Sequence, residues 1–247
     1  MSDLAHPDSR SFELVADLYE RSRPGYPPEA VAWLTDRLGL DEGRDVLDLG
    51  AGTGKLTRPL VATGAHVIAV EPGVAMRGIL ERTLPEAESL PGSAESIPLP
   101  DGSVDAITVG QAFHWFRHDE AIPEMKRVLR RRGGIGLIWN ARDSLPDEIV
   151  ELVRPFLPPD RPAPSSWTHL LTESALFGPL EERRFQFAQE LDAVGFAERI
   201  GSISFVAAAP EADRRRLDGR LRELVAERGG TLEFSYITEA YVSFAAD

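Results

Sequence analysis

The sequence predicts an α/β fold in which helices flank a mostly parallel β-sheet. Between residues 44 and 140, short strand-like runs alternate with helical patterns, as is typical of βα units that feed a parallel sheet. After residue 140 this alternation stops, and five prolines between Pro155 and Pro164 predict an irregular lid or insertion. Strand-like segments follow the lid, so we expect the C-terminal part of the chain to complete the same sheet.

The individual elements follow from hydrophobic periodicity and from the residues that begin or end helices. Four short apolar runs without internal proline predict strands buried on both faces, namely Asp45–Leu49, His66–Val70, Val104–Val109 and Ile135–Trp139. Helical patterns are found at Phe12–Arg21, Pro28–Leu38, Gly54–Thr63, Val74–Thr83 and Asp119–Arg130. Beyond the lid, the sequence predicts a strand at Arg183–Phe187, a charged helix at Glu211–Arg228 and a strand-rich end at Thr231–Phe244.

Composition and charge limit the partners that this chain can have. Its 247 residues are 43% hydrophobic and 27% charged, which is typical of a chain that forms one sizeable core. No apolar run approaches the roughly 18 residues of a membrane span, and the N-terminus does not resemble a signal peptide, so we expect a cytoplasmic protein that does not bind membranes. A formal charge of −13 disfavours nucleic acid as a partner. Because cysteine is absent, disulfides and thiolate chemistry are excluded.

A basic cluster precedes Gly133, where the helical pattern ends. Its members are Lys126, Arg127, Arg130, Arg131 and Arg132. Cations in the last turn of a helix interact favourably with the helix dipole, so the sequence predicts that these residues complement a helix end. An anion-binding patch is the alternative.

A glycine-rich loop follows the first predicted strand. The strand runs directly into Gly50, Gly52 and Gly54, and glycine lets a backbone turn sharply and approach a ligand closely. Glu71 ends the next strand and should lie beside this loop, where a carboxylate can accept hydrogen bonds from two ribose hydroxyls. The combination predicts a site for a nucleoside-containing cofactor. A tight turn beside a solvated glutamate is the alternative.

The spacing of the glycines indicates which cofactors fit. The dinucleotide fingerprint is G-x-G-x-x-G, and Lys55 stands where its third glycine would fall, so a pyrophosphate cradle is disfavoured. The phosphate-binding P-loop is also a near miss, because Leu49 and Leu56 replace its first glycine and its final hydroxyl residue. Lys55 is therefore predicted to be an ordinary residue of the first helical turn.

These motifs resemble those of the class I S-adenosylmethionine-dependent methyltransferases, in the type 11 branch that acts on small molecules. The resemblance rests on Asp48–Gly54 and on Glu71 followed by Pro72, and it continues through Gly92–Asp105, Gln111–Phe116 and Arg127–Gly134. It implies a Rossmann-like, seven-stranded, mostly parallel sheet flanked by helices, with S-adenosyl-L-methionine as cofactor and a small molecule as substrate.

The resemblance also implies roles for individual residues. Gly50, Gly52 and Gly54 are expected to line the methionine end of the cofactor, and Asp48 and Ala51 are further expected cofactor-binding residues. Glu71, with Pro72 beside it, would bind the ribose, Met76 would pack against the adenine, and Gln111 would face the sulfonium. The adenine edge would be formed by Ser93, Ala94 and Glu95, although many relatives have Asp where this chain has Ser93. Glu95 or backbone groups would then replace that aspartate.

The candidate for catalysis is His114, which follows a strand end in a run of aromatic residues. It would serve as a general base for a hydroxyl or amine acceptor, whereas a carboxylate acceptor is already ionised and needs only positioning. The alternative is a histidine that merely closes a loop. His118 lies four residues on, but no acidic ligand is spaced with this pair, so no metal site is predicted.

Aromatic residues and one arginine are the candidates for substrate binding. Trp115 falls in a predicted loop and is either a pocket residue or a core residue, whereas Trp139, inside a strand, is expected in the core. Tyr19, Arg23 and Tyr26 precede the first strand, and the family pattern places this segment over the cofactor. Arg23 would pair with a carboxylate of cofactor or substrate, with a surface salt bridge as the alternative.

We therefore expect a single domain. It would comprise N-terminal helices over the site (1–43), a cofactor-binding core (44–140), a lid or insertion (141–180) and C-terminal strands and helix that complete the sheet (181–247), as a monomer or weak homodimer. An NAD(P)-dependent oxidoreductase is disfavoured by the glycine spacing and by the lack of a Tyr-x-x-x-Lys pair. A cofactor-binding regulatory protein without turnover stays open.

Overall fold

The computed structural model describes residues 16–157 and 167–246 of the chain. At its centre is one seven-stranded sheet with the spatial strand order β3-β2-β1-β4-β5-β7-β6. In chain order the strands are β1 (Asp45–Leu49), β2 (His66–Val70), β3 (Glu88–Leu90), β4 (Val104–Gly110), β5 (Leu129–Arg142), β6 (Glu181–Asp192) and β7 (Thr231–Phe244).

Helices cover both faces of this sheet. They are α1 (Ala16–Ser22), α2 (Pro28–Leu38), α3 (Thr57–Val61), α4 (Val74–Thr83), α5 (His118–Val128), α6 (Asp147–Val153), α7 (His169–Glu173), α8 (Ala193–Gly201), α9 (Ser204–Ala207) and α10 (Glu211–Glu227). Short 3-10 turns are formed by Phe113–Trp115 and Arg154–Phe156. No helix among the described residues combines the length and the apolar character needed to cross a membrane.

The topology creates a cleft at one edge of the sheet. Strands β3, β2, β1, β4 and β5 are parallel, and β7 runs antiparallel between β5 and β6. From the central pair the chain proceeds outwards in opposite directions, through β2 and β3 on the side of β1 and through β5 on the side of β4. The loops that follow β1 and β4 therefore diverge, and a ligand cleft forms between them in such folds.

The core has a layer on each face of the sheet because neighbouring residues of a strand point to opposite faces. Leu47 packs in a cluster that contains Met125 of α5, whereas Val46 packs in a cluster that contains Ala30 of α2. A third cluster joins α8 and α10 to the first part of β7. Leu47 and Val46 are fully buried, so β1 is a central strand covered on both sides.

Several predicted elements have the predicted bounds, and others do not. β1, β2, α2, α4 and β7 begin and end where the sequence indicates. The helix predicted at Gly54–Thr63 is wrong at its start, since α3 begins at Thr57 and the glycine loop extends up to it. Lys55 is accordingly a loop residue and not part of a first helical turn, and its ammonium lies 3.2 Å from a carboxylate oxygen of Glu20.

The predicted role of the basic cluster is wrong for its second half. α5 ends at Val128, and β5 starts at once with Leu129 instead of Ile135. Lys126 and Arg127 do lie in the last helical turn. Arg130 lies on β5, where its guanidinium contacts carboxylates of Asp45 and Asp105 at 2.7 and 2.6 Å. Neutralising these acids at the amino-terminal edge of the sheet is its structural role.

The segment after β5 contains more helix than the sequence indicates. α6 packs on the third cluster through Ile149 and Val153, and the 3-10 turn after it packs there through Phe156. Part of the predicted lid, residues 158–166, lies outside the described residues, as do residues 12–15 of the first predicted helix. The short strand β3 and the helices α6, α7, α8 and α9 were not predicted.

Candidate active site

The glycine loop lies at the carboxyl edge of the sheet, between β1 and α3. The N–H groups of Gly50 and Ala51 donate hydrogen bonds to the carbonyl oxygen of Val70, at 2.8 and 3.2 Å, which ties the loop to the end of β2. Gly50, Gly52 and Gly54 have φ values of 70°, 58° and 90°. Only glycine adopts these values without strain, so the three glycines set the path of the loop.

A Cβ added at each of the three glycines would meet different surroundings. A Cβ on Gly50 would lie 2.8 Å from the Cβ of Ala112, and a Cβ on Gly54 would lie 2.6 Å from Cδ1 of Leu84. A Cβ on Gly52 would meet no protein atom within 4 Å. Gly50 and Gly54 are therefore required for packing within the protein, whereas Gly52 leaves an open surface for a ligand.

Glu71 lies directly beside this loop, as its position at the end of β2 predicts. Its Oε2 accepts a hydrogen bond from the N–H of Gly52 at 2.8 Å, and its Oε1 accepts one from the N–H of Gly73 at 2.7 Å. These two bonds hold the carboxylate in one orientation. Each carboxylate oxygen has two acceptor sites, so the group retains the capacity to bind hydroxyl donors.

Asp48 and Thr53 form the polar floor of the loop. Asp48 is fully buried, and its carboxylate accepts hydrogen bonds from the hydroxyls of Thr57 at 2.6 Å and Thr108 at 3.2 Å. Burial raises the pKa of Asp48 from 3.8 to about 6. Thr53 is 1% exposed, and its hydroxyl has no hydrogen-bond partner among the described residues. Both side chains line one cavity with Gly50, Ala51 and Gly52.

The residues expected around adenine are more deeply buried than the sequence suggests. Met76 is 5% exposed and packs with Ala16 and Ile79, where α1 meets α4. Ala94 lies in the main core. Glu95 accepts a hydrogen bond from the N–H of Arg117, the residue that precedes α5, at 2.9 Å.

Ser93 contributes a backbone contact in the same turn, since its carbonyl oxygen accepts the N–H of Ser96 at 3.2 Å. The adenine roles of Met76, Ser93, Ala94 and Glu95 stay predictions. For Glu95, the bond to Arg117 gives a sufficient structural reason for an acid at this position.

Gln111 is held in an unusual backbone conformation at the end of β4. Its φ is 59°, which is rare for a residue with a Cβ and is found mostly where structure or function requires it. Its N–H donates to the carbonyl of Ile138 at 2.9 Å, and its side-chain amide lies 3.4 Å from the carbonyl oxygen of Asn140. Gln111 lines a cavity at the end of β4 and is supported by β5, and its predicted position facing the sulfonium stays a prediction.

His114 is fixed by an indole. The Nε1–H of Trp139 donates to Nδ1 of His114 at 3.3 Å, and the His114 ring lies 4.6 Å from the ring of Trp115. Because an indole nitrogen only donates, Nδ1 acts as the acceptor and the neutral ring carries its proton on Nε2. Trp139 is 1% exposed, which confirms its predicted place in the core.

His118 does not join His114 as a ligand. Its Nε2 lies 3.1 Å from the carbonyl oxygen of Phe113, to which it donates, and its ring stacks on Trp167. Burial lowers the pKa of His118, which favours the neutral form. Among residues 16–157 and 167–246, no group of three or more acidic or histidine side chains is arranged to hold a metal ion.

The segment before β1 covers the end of β4. The Tyr26 hydroxyl lies against Gly110, where a Cβ would approach it to 2.6 Å. Burial raises the pKa of Tyr26 well above 10. Arg23 donates to the hydroxyl of Ser202 at 2.8 Å and to its carbonyl at 2.9 Å, and its guanidinium lies 5.2 Å from the ring of Tyr19.

A second cavity brings together residues that are distant in sequence. It is lined by Tyr19, Arg23, Pro24, Tyr26, Lys55, Gln111, Asn140 and Arg199. The predicted substrate residues Tyr19, Arg23 and Tyr26 therefore meet Gln111, but Trp115 is not among the lining residues. Arg199 was missed, because the sequence analysis did not recognise α8. The available signal was Asp192, whose carboxylate caps α8 by accepting the N–H of Gly195 at 2.7 Å.

The fold and this site define a class of protein: a Rossmann-like α/β enzyme with a ligand cleft at the carboxyl edge of its sheet. Residues 47–137 match the family model described as a methyltransferase domain. An uncharacterized methyltransferase of Mycobacterium tuberculosis is 38% identical over 235 residues, which cover 95% of this chain and 93% of the relative.

Two solved structures extend the comparison. A structure described as that of a type II methyltransferase from Anaeromyxobacter dehalogenans is 25% identical, with a TM-score of 0.62 over 90% of this chain and 96% of the other. A phosphoethanolamine N-methyltransferase from Haemonchus contortus, solved with S-adenosylhomocysteine, shares the fold at 13% identity, with a TM-score of 0.53 over 98% of this chain and 58% of the other. The chain belongs to the class I S-adenosylmethionine-dependent methyltransferases.

Proposed function

We propose that this protein binds S-adenosylmethionine at the glycine loop and transfers its methyl group to a small molecule held beside Gln111. The observation that carries the proposal is the fixed position of Glu71, whose two oxygens accept the N–H groups of Gly52 and Gly73. This arrangement presents an ionised carboxylate next to the open surface of Gly52, which suits the hydroxyl groups of a ribose.

The floor of the loop fits the amino-acid end of this cofactor. The buried hydroxyl of Thr53 has no hydrogen-bond partner in the part of the chain that the structure describes, and such groups are costly unless a ligand or water satisfies them. Asp48 lies in the same cavity and supplies negative charge suited to an ammonium group. The S-adenosylhomocysteine in the Haemonchus contortus relative supports the same cofactor here.

The protein's part in catalysis is to align the acceptor and exclude water. S-adenosylmethionine, when bound, supplies a methyl group on a sulfonium that leaves as a neutral thioether. Such a transfer would require an in-line approach of the acceptor, so the residues of this chain would have to hold the acceptor in position and keep water out. Gln111 supports this alignment because β5 fixes its backbone, and Tyr26 closes the cleft from the other side.

His114 acts as a positioning residue in this proposal. Its Nδ1 accepts a hydrogen bond from the indole N–H of Trp139, so protonation of that nitrogen would break this hydrogen bond.

A labelled-cofactor screen tests the proposed activity. The purified chain would be incubated with S-adenosylmethionine carrying a labelled methyl group and with separate panels of small carboxylic acids, amines and alcohols. We expect transfer to at least one panel, and transfer that depends on Glu71. Cofactor binding without transfer to any panel would favour the regulatory protein instead.

A further inference from the structure

Arg199 is a buried cation without a buried acid. It is 4% exposed, lies in α8, and forms no salt bridge with any described residue. Its Nε donates to the hydroxyl of Tyr236 at 2.6 Å, and its guanidinium lies 4.6 Å from the ring centre of Phe234. Its Nη1 is buried and has no hydrogen-bond partner among the described residues.

This arrangement is costly for a protein that has no anion to bind. A buried charge is normally paired with an opposite charge, because desolvation is otherwise not compensated. A tyrosine hydroxyl and an aromatic ring compensate only part of that cost. Among the described residues no acid pairs with Arg199, so a bound ligand is a suitable source of its anion.

The position of Arg199 indicates which ligand supplies that anion. The cavity that Arg199 lines is also lined by Gln111, which faces the reactive end of the proposed cofactor site. A group bound at Arg199 thus belongs to the methyl acceptor and not to the nucleoside, which lies on the side of Glu71.

The other charges near this cavity have partners of their own, whereas Arg199 has a buried nitrogen without one among the described residues. Lys55 lies beside Glu20, and Glu198 pairs with Arg21 at 2.9 Å, so these charges are balanced. Arg23 lines the cavity as well and donates hydrogen bonds to the hydroxyl and the carbonyl oxygen of Ser202. Burial raises the pKa of the Tyr236 hydroxyl. The positive charges of Arg199 and Arg23 both lower that pKa and so oppose the effect of burial.

We propose that Arg199, with Arg23 beside it, binds a carboxylate of the methyl acceptor, so that the enzyme acts on small carboxylic acids. This inference rests on the proposed methyl transfer and specifies its substrate class. A guanidinium matches the geometry of a carboxylate. The unpaired Nη1 of Arg199 can donate to one oxygen of a carboxylate, whereas a phosphate would bring three oxygens and a larger charge to the same donor.

Variants of Arg199 separate recognition from structure. Arg199→Met removes the charge and keeps a side chain of similar length. Arg199→Lys keeps the charge but lacks the planar, paired N–H donors of a guanidinium. Arg216→Met, at an exposed position of α10, is the matched control. For an acid acceptor we expect Arg199→Met to raise KM roughly 10- to 200-fold. The dissociation constant of S-adenosylmethionine should stay within about twofold, Arg199→Lys should recover part of the loss, and Arg216→Met should match the wild type.

The panel of acceptors tests the carboxylate itself. Each short mono- or dicarboxylic acid would be compared with its neutral amide, with amines and alcohols lacking carboxylates, and with phosphate monoesters. Transfer to acids but not to their amides supports the proposal. Equal transfer to amides, or a KM unchanged in Arg199→Met, would overturn it while leaving methyl transfer established. Preference for phosphate monoesters would overturn the carboxylate assignment.

Thermal stability gives a second readout that does not need turnover. Tyr236 keeps a hydrogen bond to Gln189 at 3.0 Å when Arg199 is replaced, so Arg199→Met should unfold at the same temperature or higher. Short carboxylates alone should raise the melting temperature of the wild type and not of Arg199→Met, even if no transfer is detected. A lowered melting temperature with no such difference would assign Arg199 a purely structural role.

Discussion

The N–H of Gly52 donates a hydrogen bond to Oε2 of Glu71 at 2.8 Å, and this contact joins the loop after β1 to the end of β2. It gives Glu71 two functions, because the same carboxylate that is proposed to bind ribose also holds the glycine loop. The effects of its replacement on ligand affinity and on stability must therefore be measured separately.

Replacing Glu71 should weaken cofactor binding strongly. Loss of two charge-assisted hydrogen bonds to ribose suggests that Glu71→Ala costs about 2 to 4 kcal/mol of binding free energy. Titration calorimetry with S-adenosylmethionine measures this loss directly. Glu71→Ala should also lower the melting temperature, since the N–H groups of Gly52 and Gly73 lose their acceptor. Glu71→Gln, which keeps one good acceptor oxygen, should bind weakly but unfold closer to the wild-type temperature. An unchanged dissociation constant in both variants would remove the ribose assignment.

Substitution of Gly52 should mainly weaken cofactor binding, whereas substitution of Gly54 should mainly lower stability. Gly52→Ala places a Cβ in open space at φ 58°, so we expect about 1 kcal/mol of destabilisation and a clear loss of cofactor affinity. Gly52→Val should bind worse still, because it adds branched bulk to the same surface. Gly54→Ala meets Leu84 and should mainly reduce stability. Denaturant unfolding and calorimetry distinguish the two effects. A Gly52→Val variant that binds S-adenosylmethionine as tightly as the wild type would contradict a cofactor site at Gly52.

Asp48 should make stability depend on pH in a specific direction. Its folded pKa is about 6 and its ordinary value is 3.8, so the folded state favours the protonated carboxyl. The native state then binds more protons than the unfolded state between these values, and stability falls as pH rises through that window, by about 3 kcal/mol in total. Asp48→Asn should lack this loss. Urea unfolding of both proteins from pH 4 to 7 measures the difference, and parallel curves would contradict the raised pKa.

His114 should help to position the methyl acceptor and should not act as the general base that removes its proton. If the acceptor is a carboxylate, His114→Gln should reduce turnover by less than about tenfold, and the rate should show no limb near the imidazole pKa of about 6.5. Trp139→Phe, which removes the indole donor together with part of the buried ring, should have an effect of at least similar size. A loss of about 10² to 10⁴ in turnover, with an acid limb that His114→Gln abolishes, would instead establish a general base.

Local pattern predicts much of this fold. β1 and β2 are continuous apolar runs, and α2 begins with Pro28 and ends at Gly39 with φ 64°, which are signals that the sequence contains. The position of Glu71 beside the glycine loop follows as well, because the ends of neighbouring parallel strands meet at one edge.

Long-range packing accounts for what the sequence does not reveal. The burial of Arg199 depends on Phe234 and Tyr236, which lie on a strand more than thirty positions away. The state of His114 depends on Trp139 from a neighbouring strand, and the left-handed backbone of Gln111 depends on its bond to Ile138. These contacts arise from pairing and helix packing, and no spacing within one segment predicts them.

A crystal structure with S-adenosylhomocysteine bound would test the central claim most directly. The account predicts both ribose hydroxyls within hydrogen-bond distance of the Glu71 carboxylate, the amino-acid end against Asp48 and Thr53, and the sulfur facing Gln111. A nucleoside bound elsewhere, or a ribose without contact to Glu71, would contradict it.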